Sequence, residues 1–382
     1  MGNRPRTASI HILDDDSLLH VIHLYRPFLL GEDEDDNARL LGGRGQWVRG
    51  RWWYTLTHVC QRWRNFILRS ASYLDVSLVC TKGTPVADML AHSPPLPLVI
   101  DYKSRIITAE DEEGIILALK QRDRVRRVRL RISVTSLQKL VVAMDEEYPI
   151  LEFLLMELRI KDINGILTFP EILQAPHLRH LRLRGFSLPI GPRSLTTAVG
   201  LVTLDFHMVH PSTYFHPSAL LQWISLLPQL ETLGIFFKSS ILNPDLERQL
   251  DAPIIEPVTL PNLHHFRFHG VDTYLEALIH QIIAPGLKKL RIELFNQPIY
   301  TVTRLLRFMN SINGLRLDGA RFSFSDKSVE VAVYLDDGKF KRYAFAMITA
   351  FCWHLDWQVS CMVQISNSLS VLCVFCVGGS HS

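Results

Sequence analysis

One phrase recurs along this chain and constrains its fold more than anything else in it. At Leu178, Leu181 and Leu183 it reads Leu-x-x-Leu-x-Leu, and the last two, being two apart, share one face of an extended strand. The same offsets occur at Val125/Val128/Leu130, Leu155/Leu158/Ile160, Leu201/Leu204/Phe206, Leu230/Leu233/Ile235, Leu263/Phe266/Phe268, Leu287/Leu290/Ile292 and Ile312/Leu315/Leu317. The first positions are 30, 23, 23, 29, 33, 24 and 25 residues apart. Pro176, Pro228, Pro261 and Pro285 each stand two residues before a phrase, where proline ends a helix and hands the chain to an extended segment. A strand followed by a helix cannot bury its own apolar side, so such units are stable only when stacked.

The period is that of leucine-rich repeats or just above it. The expected fold class is therefore α/β: a small helical N-terminal domain, then a leucine-rich-repeat solenoid with a curved, mainly parallel sheet inside and helices outside. Leu74/Val76/Leu78 and Leu96/Leu98/Ile100 alternate like strands, with a helix expected between them over 84–93, so the solenoid is expected to begin near Leu74. Thr108-x-x-Asp111 ahead of Ile115, Ile116 and Leu119 has the form of a capping box opening a helix to about Arg122. The segments 218–227 and 273–283 carry helical apolar spacing. The domain division is 1–73 and 74–382.

The N-terminal part begins with a short basic stretch. Ile12 to Ile22 then reads as a helix with Asp14, Asp15 and Asp16 in its first turn, where the macrodipole favours them, and Pro27 ends it. A Gly-rich, acidic insertion at about 31–50 holds five consecutive carboxylates, Glu32 to Asp36, without the ligand spacing of a calcium loop. Trp53, Leu56, Cys60, Trp63 and Ile67 then step by three and four, as an apolar helical stripe does.

Ile12-Leu13 with Asp14 to Leu19, followed by Val59-Cys60-Gln61-Arg62-Trp63-Arg64, resembles the two halves of an F-box. The second half follows that family's Val-Cys-x-x-Trp-Arg pattern, and Asp14 stands where the family usually has proline. The insertion resembles an expanded form common in fungal F-box proteins that carry leucine-rich repeats. The resemblance implies a non-catalytic substrate-recognition subunit of an SCF-type cullin–RING ubiquitin ligase, whose box docks on the Skp adaptor and, through it, a cullin. Leu13, Leu18, Val59 and Trp63 are expected to carry the apolar contact or its supporting core, with Arg62 and Arg64 on its rim.

On each strand the residue between the second and third apolar positions points away from the core. Those residues are Arg129, Arg159, Arg182, Asp205, Gly234, Arg267, Arg291 and Arg316, six arginines in eight. Like charges on adjacent strands repel, and an anion relieves them. The row is thus expected to receive an acidic or phosphorylated segment of a protein substrate, arginine being suited to both groups. The competing reading is an exposed strand position that tolerates long side chains.

A formal charge of +3 over 382 residues does not by itself imply nucleic acid, and the seven basic residues of Lys120 to Arg131 come without a reader motif or an aromatic ladder. Gly-x-Ser-x-Gly, P-loop, Gly-x-Gly-x-x-Gly and His-Glu-x-x-His are absent. His264, His265 and His269 suggest metal, but on a strand His264 and His265 would face opposite ways; Cys373-x-x-Cys376 has no second pair. No catalytic, cofactor or metal residue is therefore expected, nor a small-molecule substrate. Six scattered cysteines and apolar runs too short for a bilayer suggest a cytoplasmic or nuclear protein without a membrane span. The chain stops without a polar capping repeat, so its C-terminal end reads as truncated. Two alternatives stay open: a repeat scaffold with a degenerate box and no ligase role, and an uncharacterised hydrolase.

Overall fold

A phrase that hides one face of every strand requires neighbours on both sides, and the computed structural model supplies them in chain order. It describes residues 13–25, 52–71, 73–104, 107–144, 146–158, 167–170, 173–187, 197–209, 215–238, 257–295, 308, 317–325, 328–336 and 342–351. Arg159, Arg316, the insertion at 31–50, Cys373, Cys376 and the tail after 351 lie outside these residues.

The fold is α/β, built on one large, mostly parallel sheet. Its first nine strands are β1 (Leu78–Cys80), β2 (Leu98–Tyr102), β3 (Val125–Ile132), β4 (Phe153–Leu158), β6 (His180–Arg184), β8 (Thr203–Val209), β9 (Thr232–Phe237), β11 (His265–Gly270) and β13 (Lys289–Leu294), hydrogen-bonded in that order. Two short parallel ladders lie apart: β5 (Leu167–Thr168) with β7 (Phe186–Ser187), and β10 (Val258–Thr259) with β12 (Ile282–Ile283). The repeated apolar positions stand in register as Ile100, Val128, Leu154, Leu181, Leu204, Leu233, Phe266 and Leu290. All are at most 1% exposed, and burying one such side chain is worth about 1.5–3 kcal/mol. At the entrances of β6, β8, β9, β11 and β13 one carbonyl of the preceding unit accepts two amides from the next: Glu231 O receives His264 N and His265 N at 2.9 Å, and His264 O receives Lys288 N and Lys289 N at 2.8 and 2.9 Å.

Two registers differ from expectation. In β4 the apolar positions are Leu154 and Met156, paired with Leu181 and Leu183, so the phrase begins at Leu151 and Leu155 stands opposite Arg182. Beyond β13 the next strand is not the one expected from Ile312/Leu315/Leu317. It is β16 (Arg342–Phe351), parallel to β13, followed outward by antiparallel β15 (Ser328–Asp336) and β14 (Leu317–Ser325).

Helices α4 (Val86–His92), α5 (Ala109–Leu119), α6 (Val134–Ala143), α7 (Pro217–Ile224) and α8 (Asp272–Ile279) fall between strands and bury their apolar sides in the same core as the strand leucines. The capping box is present: Thr108 Oγ1 accepts from Asp111 N at 3.1 Å, and Asp111 accepts from Thr108 N at 3.3 Å. Thr108→Ala is expected to lower unfolding stability by about 1 kcal/mol, while Thr108→Ser stays near wild type. A urea titration followed by circular dichroism reads the difference.

At the N-terminus, α1 (Asp15–Tyr25), α2 (Trp52–Thr57) and α3 (Gln61–Arg69) precede the sheet. Asp14 caps α1 by accepting from Ser17 N at 2.6 Å, and that bond holds its carboxyl below the usual carboxylate range. The helical stripe from Trp53 to Ile67 is broken at 58–60, where Cys60 is extended (φ −162°, ψ 169°) as the N-cap of α3. Trp53, Leu56, Trp63 and Ile67 nevertheless stay buried, and Trp53 Nε1 donates to Ser77 O at 3.2 Å, joining the helices to the approach to β1. Among the described residues no helix is long and apolar enough to cross a membrane.

Candidate functional site

Alternation along the strands sends every second residue away from the core, and cross-strand register turns those residues into rows. The middle row runs Asp101, Arg129, Leu155, Arg182, Asp205, Gly234, Arg267, Arg291 and Met347. Four expected arginines, Arg129, Arg182, Arg267 and Arg291, therefore do share a line. Leu155 holds the place assigned to Arg159, and Met347 the place assigned to Arg316.

The anion that relieves these arginines belongs to the chain itself. Asp205, 1% exposed, accepts two bonds from Arg267 Nη2, at 3.0 and 2.8 Å, and lies 3.3 Å from Arg182 Nε. Arg267 is two strands away, and the carboxylate reaches it across Gly234. A Cβ at Gly234 would fall 1.9 Å from Asp205 Oδ1, so only glycine leaves the passage open. Arg129 lies 3.9 Å from Asp101 and over the Phe153 ring at 5.3 Å, and Arg291 bonds Glu293 at 2.8 Å on its own strand. In the row above, Arg131 pairs with Glu157. The arginine row is thus substantially neutralised from within, and the guanidinium groups of Arg129 and Arg267 lie over the rings of Phe153 and Phe236.

The row above also carries rings. His207 stacks on Phe236 (4.0 Å between centroids, planes 8° apart), Phe236 meets His269 edge-on at 6.5 Å, and His269 lies 4.6 Å from Phe295. Burial pushes the His207 imidazole down to about 4; Arg267 and Arg184 push the same way, while Asp205 opposes them. His269 is lowered too, again chiefly by burial. Both rings are neutral near pH 7.

Below the middle row, where the strands begin, lies an open trough of about 260 Å³ lined by His180, Arg182, Val202, Thr203, Glu231, Thr232, His264, His265 and Lys288. His264 and His265 both line it, against the expectation that they face opposite ways. His264 precedes the first residue of β11, so strand alternation does not govern it. Thr203 Oγ1 lies 3.1 Å from His180 Nδ1.

The N-terminal residues divide between interior and surface. Leu18 (0% exposed) and Trp63 (5%) are interior, Leu13 is half-buried and Val59 is 51% exposed. Arg62 donates to Leu13 O at 2.6 Å and Asp15 Oδ1 at 2.7 Å, pinning the start of α1 to α3, and Arg64 Nε donates to Thr57 O at 3.1 Å. The open apolar side chains here are Val21, Leu24, Tyr25, Tyr54, Val59 and Tyr73. Of these only Val59 was foreseen. Val21 and Leu24, at three-residue spacing on α1, were legible as a second apolar strip beside Leu18 and Ile22.

No protein-family model, curated protein or solved structure matches the chain.

Proposed function

We propose that the chain is a non-catalytic recognition subunit of an SCF-type cullin–RING ubiquitin ligase. In this reading the N-terminal helices are an F-box that docks on the Skp adaptor, and the strands and helices from Leu74 onward are a leucine-rich-repeat solenoid that holds a protein substrate on its outward face. Ubiquitin transfer belongs to other subunits, and the work is done in the cytoplasm or nucleus. The observation that carries the reading is the division of labour within the helices. Leu18, Ile22, Trp53 and Trp63 build an interior, while Leu24 (80% exposed), Tyr25, Tyr54 and Val59 remain on the surface. Exposed aromatic and aliphatic side chains grouped on a small helical unit favour a protein partner over solvent.

The test uses surface positions, since Trp63→Ala would empty a buried site and disturb folding. Purified chain and purified Skp adaptor are expected to co-elute in size-exclusion chromatography. Leu24→Asp combined with Val59→Asp is expected to abolish co-elution without moving the melting temperature by more than about 2 °C. Wild-type chain that never co-elutes with adaptor removes the ligase role and leaves a repeat scaffold.

A further inference from the structure

The outward arginines differ in whether the chain supplies their anion. On the middle and upper rows Arg129 faces Asp101, Arg131 pairs with Glu157, Arg182 and Arg267 share Asp205, and Arg291 pairs with Glu293. Among the described residues of these rows Arg184 is the exception. Its side chain makes no hydrogen bond or ion pair, and its Nε is shut off from solvent without an acceptor. A buried donor left unpaired is costly, so it needs a reason.

A loose backbone is not the reason. Arg184 is the last residue of β6, in register with Glu157 on β4 and His207 on β8. Directly after it Gly185 turns with φ +78° and donates its N–H to His207 O at 2.8 Å; a Cβ there would fall 2.9 Å from Leu158, so the turn needs glycine. Glu157, the carboxylate beside it in register, is already held by Arg131. The guanidinium therefore stands at the rim of the sheet on a fixed backbone with its charge unanswered.

The surroundings of Arg184 select the anion. A phosphate carries nearly two negative charges near pH 7, and its second charge would meet Glu157, one strand or about 4.8 Å away. A single carboxylate matches the single unanswered charge, and its two oxygens match two N–H groups of the guanidinium fork. On the other side the upper row continues through His207 and Phe236 to His269, partly exposed rings without charge near pH 7. Phe236 is two strands from Arg184, about 10 Å, which an extended polypeptide covers in three residues.

We propose that Arg184 receives one carboxylate of an extended protein segment lying across the strands, with an apolar side chain three residues from that carboxylate resting against Phe236 and His207. The inference rests on the substrate-holding role given to the sheet and narrows it. The segment carries a carboxylate and not a phosphate, and it meets the upper row and not the internally neutralised row beneath.

The experiment uses the full chain and end-capped peptides carrying an uncharged fluorophore, read by fluorescence anisotropy at low salt. Phe-Ser-Ser-Glu-Ser-Ser-Phe presents a carboxylate with a ring three residues away in either chain direction. It is expected to bind at least about fivefold more tightly, about 1 kcal/mol, than the same peptide with Gln at its centre, and more tightly than Ser-Ser-Ser-Glu-Ser-Ser-Ser. Phosphoserine at the centre is expected to bind no more tightly than Glu. Arg184→Gln is expected to erase the preference for Glu over Gln and Arg184→Lys, which keeps the charge without the fork, to reduce it. Arg291→Gln, which removes a guanidinium already bonded to Glu293, keeps it. Because Arg184 bonds nothing in the fold, both of its variants are expected to melt within about 2 °C of wild type. Absence of binding, equal affinity for the Glu and Gln peptides or for the ringless one, tighter binding of phosphoserine, or a full preference surviving in the Arg184 variants overturns the assignment. If that happens while Skp adaptor still co-elutes, this site alone falls. If the preference holds and adaptor is not bound, Arg184 stands as part of a peptide site and the ligase role falls.

Discussion

Gly234→Ala is expected to cost about 2–4 kcal/mol of unfolding stability, a large loss for the addition of one methyl group. The new Cβ would occupy the path by which Asp205 reaches Arg267, 1.9 Å from Oδ1, so the carboxylate must turn away. Turning away leaves a side chain that is 1% exposed without its bidentate partner and strips two arginines, 24% and 35% exposed, of their shared anion. Breaking a fully buried pair costs about 3–5 kcal/mol; partial solvent access to both guanidinium groups places this one lower. A double-mutant cycle identifies the cause. With Asp205→Ala already present, the nearest obstacle to the new Cβ is Phe236 Cε2 at 3.1 Å, so the second substitution should add little, giving a coupling of about 2 kcal/mol between positions on adjacent strands. Additive losses would show that Gly234 acts through backbone freedom and not as a passage for Asp205.

That cluster also shows where sequence reading stopped short. Asp205 and Gly234 were visible as the two exceptions in a row of arginines, yet a row read strand by strand treats each residue as an independent surface position. Their meaning appears only when it is asked which residue lets a short carboxylate reach the second strand over. An acid next to a glycine, flanked by arginines at the same register, is the signature of an internal anion, and it weakens the case for an external one on that row.

Register was legible to the extent that its signals were used consistently. Between Pro149 and Ile160 two phrases compete, Leu151/Leu154/Met156 and Leu155/Leu158/Ile160, and apolar spacing cannot choose between them. Proline can. Pro149 stands two residues before Leu151, as Pro176 stands before Leu178, and the structure takes Leu154 and Met156 into the core row. A slip of this kind changes which side chains face out, here exchanging Arg159 for Leu155. The far end was less legible because spacing does not specify strand direction: antiparallel β14, β15 and β16 let the chain fold back, and the neighbour of β13 comes from 342–351 instead of the next stretch of sequence. Among the helices, the three-four stripe correctly found Trp53, Leu56, Trp63 and Ile67 as interior, but a stripe continues unchanged through a one-residue extended cap such as Cys60.

Acidification is expected to destabilise the sheet through His207 before the carboxylates are protonated. In the folded chain burial lowers this imidazole from 6.5 to about 4, whereas in the unfolded chain it titrates near its ordinary value. Between these pH values the unfolded state binds a proton that the folded state refuses, so stability rises with pH across the window. Folded stability is accordingly unaffected above about pH 6.5, falls as pH drops toward 4, and loses nothing further from this group below that. A difference of about 2.5 units corresponds to about 3 kcal/mol, and the ring's partial exposure reduces this to about 2–3. The charges around it do not reverse the sign: Arg267 and Arg184 resist protonation, and the two carboxylates that favour it are already engaged, Asp205 with two arginines and Glu157 with Arg131. His207→Phe keeps a flat ring stacked against Phe236 while removing the titration, and His207→Gln removes both. Urea midpoints measured from pH 7.5 to pH 4.5 are expected to fall steeply in wild type and less steeply in both variants, with His269, also lowered by burial, contributing a residual slope. Parallel slopes in all three proteins would place the acid sensitivity elsewhere and mean that the stacked imidazole accepts its proton in the folded state.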